Sequence, residues 1–259
     1  MIDSDLIFGI MASMGEGQYS VSRLMYLTSP FSMSDTSLRT ALSRMAARGI
    51  VMAEKRGRKA FYTIVTRGKR IGANVALSFA EPDWSSWDGR WWGFLYSLPS
   101  AEKALRHRLR TKLEAHRFVS FYPGCWIRPF REEEKIKEKL SGFSVSVNGR
   151  LVLLTFPDEL TAVEVGGLWQ LDSVNDALGR GIKLIEQSER SLERTDPAGA
   201  FRLKMETGDQ VVKILFGDPL LPPCYLPENW AGGELRRRFT LWEKQVNKAA
   251  ASFAAGGTI

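Results

Sequence analysis

Residues 34–71, SDTSLRTALSRMAARGIVMAEKRGRKAFYTIVTRGKRI, limit what this chain can fold into more than any other stretch. Leu38, Leu42 and Met45 recur at helical spacing and make one apolar stripe, with Ala41 at its edge. At about 100° per residue, Thr40 and Ala47 point away from that stripe, flanked by Ser43 and Arg44. Ser34 or Asp35 can cap the start and Gly49 supplies the stop. Two β-prone runs follow, Ile50-Val51-Met52 and Phe61-Tyr62-Thr63-Ile64-Val65. They bracket Glu54-Lys55-Arg56-Gly57-Arg58-Lys59, whose glycine suits a hairpin turn. The stretch therefore predicts an amphipathic helix docked on a small core, then a two-stranded hairpin with a cationic tip.

Charge says what those two elements are for. Between Thr36 and Ile71 stand ten Lys/Arg (Arg39, Arg44, Arg48, Lys55, Arg56, Arg58, Lys59, Arg67, Lys69, Arg70) and one acid, Glu54. The whole chain of 259 residues carries a net charge of only +7, so the excess is concentrated here. Cations crowded at a hairpin tip repel one another, and an anionic partner or salt relieves the cost. A basic turn alone reads equally well as a solvated loop. Joined to a patterned helix upstream and a return strand downstream, it points to double-stranded DNA. The residues expected to reach it are Ser37, Arg39, Thr40, Ser43 and Arg44 on the helix and Lys55, Arg56, Arg58 and Lys59 on the hairpin.

Two shorter helices precede this pair. Asp3 or Ser4 caps the first, which carries Leu6, Ile7, Ile10, Met11 and Met14; Ser20 begins the second, with Val21, Leu24, Met25 and Leu27. Helix, helix, outward-facing helix and hairpin make a winged helix-turn-helix over residues 1–74, and a connector containing Pro82 over 75–86.

The next segment, 87–160, reads as strand, helix, strand, strand, helix, strand, the order of a ferredoxin-like α/β unit. Its first strand begins at Trp91-Trp92, and Trp84, Trp87, Trp91 and Trp92 read as a buried tryptophan-rich corner in preference to a stacking platform. Ser100 is expected to cap a helix with Leu105, Leu109 and Leu113 on one side and a very basic opposite face. Pro123-Gly124 turns a hairpin, Glu132 to Leu140 makes a short helix, and Leu151 to Phe156 a buried strand. Residues 161–259 are mainly helical, with a proline-rich strap, GDPLLPPCYLPENWAG, before the last helix. The fold class expected is α+β in three domains.

Other classes find little support. Cys125 and Cys224 lie far apart, and His107 and His116 are nine residues apart on the basic helix, a spacing that makes no metal pair. No apolar run approaches the ~20 residues of a membrane span. The N-terminus lacks the basic start and cleavage site of a secretion signal, so a reducing cytoplasm is the default. No cofactor motif is present, and no enzyme is expected.

Three pieces together carry a family resemblance: SLRTALSRMAARGIV with KRGRKAFYTIVTRGKRI, then WDGRWW, then GDPLLPPCYLPENWAG. In this order they resemble the PaaX family, repressors of phenylacetate-degradation operons, over nearly the whole chain. The resemblance implies a homodimeric, ligand-responsive repressor of a catabolic operon, with a middle domain like the small ferredoxin-like nucleases of CRISPR adaptation. It also implies release from DNA by a small effector, an aryl-acyl-CoA such as phenylacetyl-CoA. By position it assigns Arg39, Thr40 and Arg44 to the groove and Arg56, Arg58 and Lys59 to the wing. Two places depart from the family pattern. Val211-Val212-Lys213 stands where relatives carry an aromatic and paired arginines, and Ser97-Leu98-Pro99 stands where the nuclease-like fold carries an aspartate. Trp169, Asp218 and Trp230 are candidates for the wall of an effector pocket between the middle and helical domains. The rival readings are a metal-dependent nuclease, for which consecutive Glu132-Glu133-Glu134 would make a poor site, and a ligand-independent DNA binder.

Overall fold

The computed structural model describes residues 3–65, 81–99, 101–131 and 136–257. The expectations resting on Arg67, Lys69, Arg70, Ser100, Glu132, Glu133, Glu134 and residues 75–80 of the connector lie outside them. The fold is α+β, with two antiparallel sheets and a helical C-terminal region.

The chain forms two compact units. One comprises Met1–Ala80, Ala177–Gly217 and Ala231–Ile259; the other comprises Glu81–Asp176 and Asp218–Trp230. Residues 161–259, read from sequence as one helical domain, are thus shared between the two.

The first unit opens with α1 (Asp3–Ser13), β1 (Tyr19–Ser20), α2 (Val21–Thr28), α3 (Asp35–Ala47), β2 (Val51–Arg56) and β3 (Lys59–Ile64). Ser20 caps α2 by accepting from the Arg23 amide at 3.1 Å. Its three strands pair antiparallel in the order β1-β3-β2. The apolar positions that recur at helical spacing in α1, α2 and α3 meet in one core: Ile7, Met11, Leu24, Leu38, Leu42 and Met45 are buried there with Val51 of β2. A second core joins the other side of α1 and α2 to the C-terminal helices. Leu6, Ile10 and Leu27 pack with Ala200, Phe201 and Met205 of α8 (Pro197–Phe216) and Ala250 of α9 (Gly232–Ala255). Asp196 caps α8 through the Gly199 amide at 2.8 Å, with Pro197 in the first turn.

The second unit carries β4 (Trp91–Tyr96), α4 (Lys103–Glu114), β5 (Val119–Tyr122), β6 (Cys125–Pro129), α5 (Ile136–Ser146) and β7 (Gly149–Leu154). The strands are antiparallel in the order β5-β6-β4-β7. Alternation along β4 sends Trp92 and Phe94 to the face covered by α4 and α5, and Trp91 to the opposite face. That opposite face is covered by α6 (Ala162–Trp169) and by the proline-rich strap, whose Leu221 and Tyr225 are buried. The tryptophan-rich corner is core: Trp87, Trp91 and Tyr225 have ring centroids 5.7–5.8 Å apart. The remaining helix, α7 (Leu171–Leu192), begins in this unit and continues into the first.

Two local expectations are corrected. The basic helix starts at Lys103 behind Glu102, which caps it without a side-chain bond, because the Glu102 amide closes a turn on the Pro99 carbonyl at 3.1 Å. The strand expected as buried over 151–156 runs over Gly149–Leu154 and is only half-buried, with Leu153 exposed, because it lies at the sheet's edge.

Candidate nucleic-acid interface

Within α3 the apolar stripe and the outer face separate as the helical period requires. Leu38, Ala41, Leu42 and Met45 are buried, whereas Arg39, Thr40, Ser43, Arg44 and Ala47 are exposed. Ser34 caps the helix by accepting from the Ser37 amide at 3.1 Å, and it also meets the Ser37 hydroxyl at 3.1 Å. Ser37 is therefore half-buried and already engaged in the cap, unlike its neighbours on the outer face. At the other end Gly49, with φ +64, donates to Ala46, and Ile50 donates to Met45. These two bonds are those of a Schellman motif, which needs a left-handed residue and so a glycine.

The motif turns the chain into β2. The register pairs Arg56 with Lys59, leaving Gly57-Arg58 as a two-residue loop. Gly57 has φ +59 and Arg58 does not have a positive φ. That is the pattern of the type II′ turn, which places glycine first and matches the twist of the strands. The turn fixes Arg58 at the apex, with Lys55, Arg56, Arg58 and Lys59 all exposed.

Arg56 has a partner that the composition alone conceals. Its guanidinium makes a two-pronged contact with Glu54, at 2.8 and 3.0 Å, and sits 5.4 Å from the centre of the Phe61 ring. Gln18 donates to the same carboxylate at 2.9 Å. The Arg56 bond, first, and the Gln18 bond hold the Glu54 carboxyl below its ordinary range. Among the described residues no carboxylate pairs with Lys55, Arg58 or Lys59. A second acid borders the outer face of α3: Asp3, at the start of α1, lines a cleft with Thr36, Thr40 and Arg44. The signal for Glu54 was legible as a two-residue spacing on a strand, which puts it on the same face as Arg56. Asp3 had no such signal.

The three effector candidates all lie in the second unit. Trp169 and Trp230 border one apolar cluster, with Trp169 packed 6.1 Å from Trp91. Asp218 is buried, and its carboxylate accepts from the Leu220 amide at 2.9 Å, where Leu220 takes a φ of +54. Its carbonyl accepts from Arg117 at 3.0 Å, so Asp218 shapes the strap. None of the three lines the open groove between α6 and the strap, whose walls include Ala162, Val163, Gly166, Gly167, Leu226 and Pro227. Burial pushes the Tyr225 phenol, also at that groove, up to about 12.

Among the described residues no group of three or more His, Cys, Asp or Glu stands close enough to hold a metal ion, and no helix is long and apolar enough to cross a membrane.

Similarity to known proteins covers three successive stretches of the chain. Residues 6–68 match the family described as "PaaX-like protein", residues 85–156 the "PaaX protein central Cas2-like domain", and residues 169–256 the "PaaX-like protein C-terminal domain". The transcriptional repressor PaaX of Escherichia coli (strain K12) is 22% identical over 257 residues, covering 96% of this chain and 81% of that protein. Among solved structures, the uncharacterized protein Rv0674 from Mycobacterium tuberculosis shares the fold with a TM-score of 0.65 and 24% identity, over 95% of each chain. Three matches in the order of the family's own parts, spanning the α3–hairpin unit, the four-stranded sheet and the C-terminal helices, place this chain in the PaaX family.

Proposed function

We propose that this protein is a DNA-binding transcriptional repressor whose first unit is a winged helix-turn-helix head. α3 enters the major groove, and the β2–β3 hairpin is the wing that holds the flanking phosphates. The carrying observation is the joint exposure of Arg39, Thr40, Ser43 and Arg44 on one face of α3 with Lys55, Arg58 and Lys59 on the hairpin. The name of the E. coli relative supports repression over activation. The strand order β5-β6-β4-β7, with a helix after β4 and after β6, supports a ferredoxin-like middle domain.

Two heads in a homodimer would read a pseudo-palindrome, phosphate contacts supplying most of the affinity and the α3 face the choice of sequence. A small effector, an aryl-acyl-CoA being the family's chemistry, releases DNA by binding the DNA-incompetent arrangement more tightly. A hundredfold release requires about 2.7 kcal/mol of such preference. Trp169, Asp218 and Trp230 are proposed to line or support that effector's site.

The test is a mobility shift with the duplex upstream of the protein's own operon. Arg44→Ala with Arg58→Ala is expected to weaken binding by orders of magnitude while the melting temperature stays put. Wild-type affinity in that double variant would overturn the reading of the head. Phenylacetyl-CoA is expected to release the wild-type complex; persistence of the complex at saturating ligand would overturn the effector assignment alone.

A further inference from the structure

We propose that the groove between α6 and the proline-rich strap is a ligand site that takes a small apolar group bearing an uncharged carbonyl, as at the acyl end of a thioester. The proposal rests on the reading of this chain as a ligand-responsive repressor, and it gives the effector of that reading a place.

All the residues that line the groove belong to the second unit, and its volume is about 700 Å³, within the range of small-molecule sites. Ala162, Val163, Gly166, Gly167 and Gln170 recur at helical spacing on one face and form its α6 side. Leu226 and Pro227 form the strap side, and Asp172 and Ser173 in the first turn of α7 also line it. Bonds within the unit hold the strap side. Asn175 of α7 donates to the Asn229 carbonyl at 3.3 Å, and the Leu226 amide donates to the Pro223 carbonyl at 3.1 Å. A preformed groove spares a ligand the cost of ordering it. Trp169 and Asp218 anchor α6 and the strap without lining the groove, which makes them supports of the site.

Two observations point to an occupant. Tyr225 lines the groove and is only 8% exposed, with its ring centroid 5.7 Å from those of Trp87 and Trp91. Its hydroxyl makes no hydrogen bond among the described residues, yet it is not sealed from solvent. A fixed ring thus carries a donor whose bond a ligand can complete. The second observation is that α6 carries two adjacent glycines on this face, each costing helix stability. A Cβ at Gly166 or Gly167 would meet nothing within 4 Å, so no neighbour in the fold requires them. At Gly149 and Gly181, by contrast, a Cβ would stand 2.8 Å from the side chains of Phe94 and Leu235. Glycine on the wall of an open groove lets a ligand approach the backbone closely. Charge then selects the ligand's class. Burial first, and Glu159 among the nearby charges, push the Tyr225 phenol up, so it stays protonated and donates. A carboxylate there would meet Asp172 and Glu159, whereas a neutral carbonyl accepts the same bond without repulsion.

The experiment is titration calorimetry on the full chain with four probes: phenylacetyl-CoA, the short thioester S-phenylacetyl-N-acetylcysteamine, phenylacetate and coenzyme A. Both thioesters are expected to bind, and phenylacetate and coenzyme A to bind far more weakly. Gly167→Leu fills the groove from a position with open space around it. It should abolish thioester binding while the melting temperature holds or rises, because leucine is the better helix former. Tyr225→Phe keeps the ring and loses no internal bond, so it should weaken the thioesters about 3–10-fold at an unchanged melting temperature. Wild-type thioester affinity in Gly167→Leu overturns the proposal. Phenylacetate binding as tightly as the short thioester overturns the uncharged carbonyl. A changed oligomeric state in Gly167→Leu with thioester affinity unaltered gives the groove to a second copy, which also overturns it. If phenylacetyl-CoA releases DNA and neither variant weakens its binding, the effector reading stands and the groove falls. If the short thioester needs Gly167 but no thioester releases DNA, the groove stands and the effector reading falls. If neither thioester binds the wild type, both fall.

Discussion

Glu54 stands two residues before Arg56 on one face of β2, and that spacing occupies one of the four cations at the hairpin tip. A phosphate that approaches Arg56 has to compete with a carboxylate already seated on it. Glu54→Gln removes that competitor and a negative charge from the tip. It should tighten duplex binding and steepen the salt slope by the share of one phosphate, roughly 0.9. A slope equal to wild type would show that Arg56 takes no part. The sign with pH follows from the lowered carboxyl. The Glu54–Arg56 pair is complete above the ordinary carboxylate range and is lost as pH falls through the depressed folded value, so its small stabilising effect disappears only in acid. Which cations crowd the tip was legible from the residues alone. That one of them is matched is hinted at by the two-residue spacing of Glu54 and Arg56, and the paired side chains show it.

At the scale of the element, α3 divides its residues between a buried stripe that holds the core and an exposed face that is proposed to meet DNA. Leu42 is fully buried in the head core. Leu42→Ala should cost about 2–5 kcal/mol of stability, read as a lower melting temperature with DNA binding weakened in parallel. Thr40→Ala, on the exposed face, should leave the melting temperature unchanged and lower affinity for the specific site only. If Thr40→Ala destabilises as much as Leu42→Ala, the outer face of α3 is packed and the assignment fails. The caps of this helix were legible because they are local. A serine before the first turn and a glycine after the last satisfy backbone groups within a few residues of themselves. The start of α4 lies at Lys103, with Glu102 at its cap, later than the sequence SAEKAL suggests, because no side-chain cap marks it. β7 was read as buried because LVLLTF is apolar almost throughout; its place at the sheet edge, which leaves Leu153 exposed, depends on the order of the strands.

At the scale of the whole molecule, the head is not a bead on a tether. The end of α9 closes on α2: Phe253 stacks on Tyr26 at 4.7 Å and lies 5.3 Å from Phe201, and Arg23 donates to the Ala254 carbonyl. Residues more than two hundred positions apart therefore share one core with α1 and α2, which support α3. Phe253→Ala should destabilise the head by about 3 kcal/mol and shift hydrogen exchange in α2 as well as in α9. Faster exchange confined to α9 would mean that the two do not stabilise each other. This joining also explains why residues 161–259 divide between the units, although the family's parts follow one another along the chain as 6–68, 85–156 and 169–256.

By itself the sequence settled what is local in this protein: the helical period of α3, its glycine stop, a hairpin with a glycine in its turn, the concentration of charge, and the motifs that mark the PaaX family. Those features depend on neighbours a few residues away, and a period or a cap records them directly. Only the tertiary structure decided the order of the strands, the edge position of β7, the pairing of Arg56 with Glu54 and Gln18, and the stacking of Tyr26 on Phe253. Each of these joins segments, or faces of segments, through packing and register, and an apolar residue looks the same in the sequence whichever distant partner covers it.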